Sequence, residues 1–405
     1  MSNLKEIIGL STYSTPPTTS TTIKNLNTTL IVPKGACQQM KFICNRDSLI
    51  NGINIVSKAV SNRTTLPILQ CILIKVTNEG FKLIANDLEI GIETGNIDAD
   101  VEMEGTVAVE AKIFSDIVKK LNGSDILISC DIKNAITLSC GMSKYDIMGQ
   151  NGDEFPEITK VEQNSPYTLK QKVFKDMINK TIFSIAPDES KPVLTGELVE
   201  INGSDINMVA VDGYRISYKK ATIDVSGDNN KVIIPGKTLR EISRILGDGD
   251  ETVSIYITEN HVSFEFDGNI VVSRLIEGEF IKYEQTFSQG FKTKVIAKTS
   301  ELVSCLERAS LISRDARKVP VKIEIKDNKF IIDSSTELGS AHEEAFVETE
   351  GGNLNIAFNP KYLIEALKVI EDDEICLLFN SSLSPCIIKP LEGDNYKYLV
   401  LPLRM

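Results

Sequence analysis

One helical segment recurs three times along the chain, and this repeat limits the architectures that the chain can adopt. The copies are KIFSDIVKKLNGSD at residues 112–125, KTLREISRILGDGD at 237–250 and KYLIEALKVIEDDE at 361–374. They begin 125 and 124 residues apart, an interval the size of a domain. Each copy lies between two runs rich in β-forming residues. The spacing predicts three similar domains, each containing this strand, helix, strand unit.

The predicted helices are amphipathic in the same way. Apolar residues recur at helical spacing on one face, while Lys and Arg occupy the other. Residues 111–122, 236–246 and 361–370 contain eight Lys or Arg against three acids, whereas the whole chain carries a net charge of −12. A single basic helix face is ordinarily a solvated surface, and that alternative stays open. Three matching faces in an acidic chain favour a shared anionic partner.

The overall negative charge disfavours an ordinary nucleic-acid-binding protein, because affinity for phosphate comes from Lys and Arg. Segregation of charge removes this objection. An acidic exterior around a basic inner surface would bind DNA by enclosing it.

The composition, 42% hydrophobic and 25% charged over 405 residues, is that of a globular protein. No apolar run approaches the roughly 20 residues that span a bilayer, and no secretory signal is visible at Met1. The eight cysteines show no CxxC spacing, which indicates free buried thiols in a reducing cytosol. We therefore expect a cytoplasmic protein with no membrane contact.

Composition changes sharply at Met40. Residues 11–29 are mostly Ser, Thr, Asn and Pro, so residues 1–39 are predicted to be a flexible leader, native or an artefact of the assigned start. Three domains are predicted to follow, at residues 40–161, 162–289 and 290–405.

Each domain reads as two βα-ββ units. In the first domain, a strand at 41–45 precedes a helix with apolar residues at 49, 50, 53 and 56, and strand-like runs follow at 69–76, 81–86 and 88–93. The helices of the other two domains carry Phe174, Ile178 and Ile182, and Leu302, Cys305 and Leu306. Asn202-Gly203, Asp248-Gly249 and Asp267-Gly268 predict hairpin turns. About six helices and many more strands predict an α+β fold built on antiparallel sheets.

Catalytic patterns are weak throughout. His261 and His342 lie in different repeats, which disfavours a His pair or a multi-His metal site. Gly236-Lys237-Thr238 resembles the end of a phosphate-binding loop, but Lys231 stands where the loop needs a glycine. Asp98 with Asp100, and Glu343 with Glu344, can in principle bind Mg²⁺, although they read as surface acids. We expect no catalytic residue, no metal and no cofactor.

Three further motifs carry a family resemblance: TLPIL at residues 65–69, VAVDGYRI at 209–216 and LVLPLRM at 399–405. With these motifs in this order and spacing, residues 40–405 resemble the bacterial DNA polymerase III beta subunit, the sliding clamp family. The resemblance implies the DNA clamp fold, with sheets outside and two helices per domain inside. It also implies a head-to-tail homodimer ring of six domains that encircles double-stranded DNA without sequence specificity and acts as a processivity factor.

The implied partners are the replicative DNA polymerase, the clamp loader and other proteins with a clamp-binding peptide. Basic faces bind phosphates without contacting base edges, which suits sliding. By position, the residues expected to face DNA are Arg63, Lys112, Lys119, Lys237, Arg240, Arg244, Lys361 and Lys368.

The resemblance also implies a partner-peptide pocket between the second and third domains. Its expected walls are Leu194, Val211, Gly213, Tyr214, Arg215, Ile216, Ile281, Leu383, Val400, Leu401, Pro402, Leu403 and Arg404. The apolar chain end supports this hypothesis, with a final strand that closes a sheet as the alternative. Tyr214 stands where the family often has His, and Ile281 where it often has Pro, so the peptide preference is open.

At the implied dimer interface, Tyr145 and Ile147 of one subunit contact Leu311 and Ile312 of the other. From sequence alone, Ile147 and Ile312 are equally well explained as core residues. Two rival functions are kept: a monomeric interaction adaptor that does not encircle DNA, and a DNA-modifying enzyme that uses Asp98 and Asp100.

Overall fold

The repeat is present in the structure as three successive sets of strands and helices. The computed structural model describes residues 39–404 apart from 62, 164, 188–189, 224–228, 288–289 and 314–319. The leader predicted over residues 1–39 lies outside the described residues except for Gln39, and so does Met405.

The first repeat contains ten strands and two helices in its described part. They are β1 (Met40–Asn45), α1 (Arg46–Val56), β2 (Cys71–Thr77), β3 (Gly80–Asn86), β4 (Ile90–Glu93), β5 (Ala99–Met103), β6 (Gly105–Glu110), α2 (Ala111–Lys120), β7 (Asp125–Cys130), β8 (Ala135–Cys140), β9 (Ser143–Met148) and β10 (Gln150–Asn151).

The second repeat follows the same order and ends in a short connecting helix. Its elements are β11 (Tyr167–Lys170), α3 (Gln171–Asn179), β12 (Gly196–Asn202), β13 (Asp205–Val211), β14 (Arg215–Thr222), β15 (Asn230–Pro235), α4 (Gly236–Ile245), β16 (Thr252–Ile257), β17 (His261–Phe266), β18 (Asn269–Arg274) and α5 (Glu284–Phe287).

The third repeat again has two helices, each followed by three antiparallel strands. Its elements are β19 (Thr293–Lys298), α6 (Thr299–Ser310), β20 (Val321–Lys326), β21 (Lys329–Thr336), β22 (Gly339–Phe346), β23 (Glu348–Gly351), β24 (Leu354–Phe358), α7 (Pro360–Lys368), β25 (Glu374–Phe379), β26 (Cys386–Pro390) and β27 (Tyr396–Val400).

Each repeat consists of two halves that exchange their leading strands. β1 precedes α1 but pairs with β7 of the other half, and β6 precedes α2 but pairs with β2. The second and third repeats do the same through β11 with β16, β15 with β12, β19 with β25 and β24 with β20. Each half therefore provides a four-stranded antiparallel unit that includes one strand from the other half.

These units combine across the repeat boundaries. The order β10-β6-β2-β3-β4-β18-β17-β16-β11 makes one nine-stranded sheet from the first and second repeats. The order β15-β12-β13-β14-β27-β26-β25-β19-β23 makes a second nine-stranded sheet from the second and third. The remaining units form a five-stranded sheet, β5-β1-β7-β8-β9, and a four-stranded sheet, β22-β21-β20-β24. The predicted α+β fold with antiparallel sheets is confirmed.

The helices of each repeat pack as a pair, α1 with α2, α3 with α4 and α6 with α7. Their apolar faces are buried as the helical spacing predicts: Phe114 and Val118 on α2, Leu239 and Ile242 on α4, and Leu363 with Leu367 on α7. Burial of each large apolar side chain contributes about 1.5–3 kcal/mol, so these faces fix how the helices sit on the sheets. Among the described residues, none of the helices has the length and hydropathy needed to cross a bilayer.

Local chemistry sets where the repeated helices begin. Glu110 accepts hydrogen bonds from the N–H groups of Lys112 and Ile113, and Asn359 accepts one from Lys361 N–H, so each caps its helix. Helix α4 lacks such a cap and begins at Gly236, where a Cβ atom would lie 2.3 Å from the Ile185 side chain. The Gly-Lys-Thr sequence is therefore explained by close packing.

The sequence-based predictions failed at a few boundaries. Leu69 lies in a 3₁₀ turn (Pro67–Gln70), because a proline opens this segment, and Leu88 lies in the turn before β4 with a φ of +76°. The hairpin predicted at Asp248-Gly249 is wrong, since these residues connect α4 to β16. The seven cysteines in the described part of the chain are buried free thiols, and Cys37 lies outside that part.

One buried carboxyl group is an exception to the apolar interior. Glu197 on β12 is fully buried; its Oε2 accepts a 2.6 Å hydrogen bond from Thr181 Oγ1, and its Oε1 has no hydrogen-bond partner among the described residues. Burial raises the pKa of Glu197 to about 8, against the smaller opposing effects of Thr181 and Arg240. The side chain is therefore mostly protonated at neutral pH.

This pKa predicts a pH-dependent effect of Glu197→Gln on stability. The unfolded chain releases the proton near pH 4.5 and the folded chain near pH 8, so the free energy of unfolding of the wild type falls as pH rises between these values. The variant lacks this loss and should gain on the wild type by about 1 kcal/mol per pH unit or less. Urea titrations at several pH values test this, with the exposed Glu259→Gln as control. Parallel pH profiles for wild type and Glu197→Gln would contradict the assignment.

Candidate functional site

The basic side chains singled out by the sequence all lie at the surface. Every one of the eight is exposed: Arg63, Lys112, Lys119, Lys237, Arg240, Arg244, Lys361 and Lys368. Seven of them project from α2, α4 and α7, opposite the buried faces of these helices, and Arg63 lies in the loop before Pro67. The structure thus presents cations on equivalent helices of all three repeats.

Half of these cations have a carboxylate neighbour. Arg244 Nη1 lies 2.8 Å from Glu241 Oε1, Lys368 Nζ lies 2.6 Å from Glu307 Oε1 on α6, and Lys361 Nζ lies 3.7 Å from Glu365 Oε1. Exposed pairs of this kind contribute little to stability and leave the cation able to meet another anion. Among the described residues, Arg63, Lys112, Lys119 and Arg240 have no ion pair.

Lys237 differs from its counterparts because its partner is buried and belongs to another repeat. Its ammonium group bonds Asp87, whose side chain is only 5% exposed, in the turn before β4. Glu89 lies 3.6 Å away. Burial lowers the pKa of Lys237, but the hydrogen bond and charge of Asp87 outweigh this and raise it. Lys237 therefore ties α4 to the first repeat.

The other helix of each pair also carries cations, which the repeat search did not find because these helices differ more in sequence. Arg46 on α1 donates hydrogen bonds to the carbonyl oxygens of Val118 and Lys119 at the end of α2. Lys172 and Lys175 on α3 lie 2.5 and 2.7 Å from Asp250 and Asp248. Helical wheels for these segments would have identified them.

A second candidate site lies where the second and third repeats join. β14 and β27 pair here, with Arg215 opposite Val400 and Ile216 opposite Leu399. An apolar cluster on this sheet contains Val211 and Ile216, with Leu194 packed against it. Val211, Ile216 and Val400 are buried, so they support this surface from below.

Exposed apolar side chains stand around this junction. Tyr214, Ile281, Leu383 and Leu401 are all exposed, with Tyr214 at 57% and Leu383 at 71%. Gly213 has a φ of +89°, which a glycine adopts without strain and which allows the tight turn before Tyr214. The prediction missed Tyr362 on α7, whose ring stacks on that of Tyr214 with centroids 5.9 Å apart.

The chain end lies along this junction. Leu401 N–H donates to Tyr214 O at 2.9 Å, and Leu403 N–H donates to Ala357 O at 2.8 Å. The intervening Pro402 has no N–H to satisfy. Pro402 and Leu403 are half-buried and Arg404 is exposed. The segment is held by its backbone while part of its side-chain surface stays accessible.

Arg215 is the most heavily bonded side chain in this region. Its guanidinium donates to Asp212 at 2.9 Å, to Glu365 on α7 and to the carbonyl oxygen of Phe183. It also stacks 4.6 Å from the Tyr362 ring. Only 7% of the Arg215 side chain is exposed, so it holds the wall in place more than it offers a surface.

A third feature is a pair of free strand edges. β9 ends the five-stranded sheet and β22 ends the four-stranded sheet. Tyr145 is exposed on β9, whereas Ile147 is half-buried and packs against the core. Leu311 and Ile312 lie in the 3₁₀ turn after α6, and this turn packs against β21 and β22. The structure thus places both predicted interface pairs at free edges.

These surfaces are suited to binding. The described residues contain no group of three or more His, Cys, Asp or Glu arranged to hold a metal ion. His342 lies on the β22 edge, bonded to Asp333 at 2.7 Å, and is distant in the sheet order from His261 on β17. Exposed cations, an apolar junction and unpaired strand edges can bind, respectively, a polyanion, a peptide and another strand.

Comparison with known proteins accounts for nearly all of the chain. Family models of the DNA polymerase III beta subunit match residues 40–159 (N-terminal domain), 168–282 (central domain) and 284–404 (C-terminal domain). The beta sliding clamps of Halalkalibacterium halodurans and Bacillus subtilis are each 33% identical to this chain, over 378 and 376 residues. Each match covers 90% of this chain and 100% of the relative.

Solved structures agree. A DNA polymerase III beta subunit from Eubacterium rectale is 43% identical with a TM-score of 0.87, covering 90% of this chain and all of that one. The Bacillus subtilis clamp structure is 32% identical with a TM-score of 0.88, covering 91% of this chain and all of that one. A Pseudomonas aeruginosa clamp solved with griselimycin bound is 26% identical with a TM-score of 0.85, covering 90% of this chain and all of that one.

A double-mutant cycle tests the tie between Lys237 and Asp87. Lys237→Met leaves the buried Asp87 carboxylate without its cation and should lower the free energy of unfolding by about 1 kcal/mol, given the half-exposed lysine. Adding Asp87→Asn should cost little more, because the two residues share one interaction. Urea unfolding measures both, and Lys112→Met at the equivalent position is the matched control. Additive effects of the two substitutions would contradict a direct tie.

Proposed function

Because the chain belongs to the DNA polymerase III beta subunit family, the bacterial sliding clamps, we propose that two copies close head to tail into a ring around duplex DNA. A sliding clamp is a processivity factor in DNA replication. The finer proposals are that the ring tethers the replicative polymerase, is loaded by a clamp loader and has no catalytic activity of its own. A cytoplasmic location at the nucleoid follows from this role.

The observation that carries the ring proposal is the pattern of the four sheets. Each of the two boundaries inside the chain joins a first-half edge strand to a second-half edge strand, β4 to β18 and β14 to β27. The strands left over are β22, from a first half, and β9, from a second half. Pairing β9 of one copy with β22 of the other would join five and four strands into a third nine-stranded sheet. We call this proposed contact the seam.

The two inner boundaries also suggest the register of the seam. Glu93 lies opposite Ile270 at one boundary, and Tyr218 lies opposite Lys397 at the other. The equivalent positions on the free edges are His342 and Lys144, so Ala341 would face the partner's Tyr145. Tyr145 occupies the hairpin position of Tyr398, which is 1% exposed at its own boundary.

Both seam contacts use the same two edges in opposite roles. A head-to-tail contact makes a closed ring when its rotation closes, and otherwise makes a filament. Tyr145 and Ile147 would then be covered by the partner near Leu311 and Ile312. Covering these edges also removes a surface that is prone to aggregation.

The DNA surface would be formed by the helices. Arg63, Lys112, Lys119, Arg240, Arg244, Lys361 and Lys368 are exposed and either unpaired or loosely paired in the described structure, so phosphates can bind them without rearrangement of the fold. Lys237 belongs to this surface by position but has Asp87 as its first partner. Phosphate contacts carry no sequence information, which permits sliding along any duplex.

The partner-peptide pocket would lie at the junction of the second and third repeats. Its proposed contact surface is the exposed set Tyr214, Ile281, Leu383 and Leu401, with Leu194, Gly213, Pro402, Leu403 and Arg404 around it. Val211, Arg215, Ile216 and Val400 support this surface from within. An apolar pocket with few polar groups is a common form of binding site for short peptides.

Retention on DNA tests the proposed function directly. The protein is loaded on nicked circular DNA by a clamp loader and separated from free protein by gel filtration, before and after the circle is cut once. A ring is held by topology, so the protein should stay on the circle and leave the linear DNA. Blocking both DNA ends with bound streptavidin should restore retention. Equal retention on open linear DNA and circles would contradict encirclement.

A further inference from the structure

Four charged side chains form an alternating chain between the proposed pocket and the proposed DNA surface. Asp212 bonds Arg215, Arg215 bonds Glu365, and Glu365 lies beside Lys361. We propose that this chain, the junction network, couples DNA inside the ring to peptide affinity at the pocket. The inference rests on the proposed function and adds a regulation of the same site.

The pocket end of the network is rigid. Asp212 Oδ1 accepts hydrogen bonds from the N–H groups of Tyr214 and Arg215 at 2.9 and 3.1 Å, while its Oδ2 holds the guanidinium. The Asp212 and Arg215 side chains are 8% and 7% exposed. The turn that presents Tyr214 is therefore fixed by the same carboxylate that binds Arg215.

The DNA end is accessible. Lys361 is exposed at the start of α7, and its Nζ lies 3.7 Å from Glu365 Oε1, a loose contact. The other oxygen of Glu365 bonds Arg215 across the boundary between repeats. One carboxylate is thus shared between an outward-facing lysine and a buried arginine.

A phosphate bound to Lys361 would change how Glu365 is shared. It competes for the ammonium group, and its negative charge repels Glu365 towards Arg215. Both effects strengthen the bond between Glu365 and Arg215, because opposite charges attract more strongly in a partly buried environment. Arg215 stacks on Tyr362, which stacks on Tyr214, so the exposed wall of the pocket is held more firmly.

The direction of the coupling follows. A pocket wall that is already ordered loses less conformational freedom when a ligand binds, so affinity is higher with DNA in the ring. Linkage requires the ligand to favour DNA binding by the same factor. The second repeat boundary lacks this arrangement, since Asp87 bonds Lys237 directly.

The test uses griselimycin as the pocket probe, measured by calorimetry on the free protein and on protein loaded on nicked circular DNA. We expect about fivefold tighter binding on DNA, the lower end of typical couplings. Glu365→Gln and Lys361→Met should bind the free probe as the wild type does but show no change on DNA. Glu350→Gln removes an exposed carboxylate on β23 and should keep the full effect.

Three results would overturn the coupling, and they are distinguishable. Equal affinity with and without DNA in the wild type, or an undiminished DNA effect in Glu365→Gln, contradicts the network while leaving the clamp intact. Griselimycin binding that is absent, or that Leu401→Ser does not weaken, contradicts the pocket on which the network depends. Failure to stay on circles contradicts the proposed function itself.

Discussion

Backbone hydrogen bonding at the edges of the sheets is the constraint on which the rest of the structure depends. An edge strand carries a row of unpaired N–H and C=O groups that tends to pair with another strand. Within this chain, the edges of β4 and β14 are paired by strands of the next repeat, which makes three repeats into one continuous framework. The same chemistry, applied to β9 and β22, is the physical basis for joining two copies.

The framework also sorts the charge. Because each sheet buries one face against a helix pair, the polar faces of those helices must point away from the sheets, and the repeated lysines and arginines lie there. An acidic chain can therefore present a basic surface without a basic composition. Affinity for phosphate in such an arrangement is local and weak, so retention on DNA would come from closure of the ring.

Much of this architecture was predictable from the sequence. The triplicated helix fixed the number of repeats, and the period of its apolar residues correctly predicted the burial of Phe114, Leu239 and Leu363. The exchange of leading strands was not predictable, because the alternation of apolar residues in β1 shows that the strand is partly buried but not which strand it pairs with. The same limit hid the nine-stranded sheets.

The candidate sites were predicted less evenly. Exposure of the basic residues followed from helix periodicity, but the bond between Lys237 and Asp87 joins residues 150 positions apart and has no local sequence signal. Arg215 was expected in a pocket wall, whereas Glu365, Phe183 and Tyr362, which hold it, come from other elements. Contacts of this kind depend on tertiary packing. Periodicity reports only which face of an element is buried.

The central claim is that β9 and β22 pair between two copies, and amide hydrogen exchange tests it most directly. The outward-pointing amides of β9 and β22 should become protected as the protein concentration rises, because pairing turns free edges into sheet interior. Those of β5, the other edge of the five-stranded sheet, should exchange quickly at every concentration. If the amides of β9 and β22 exchange as fast as those of β5 at all concentrations, the seam does not form and the account is contradicted.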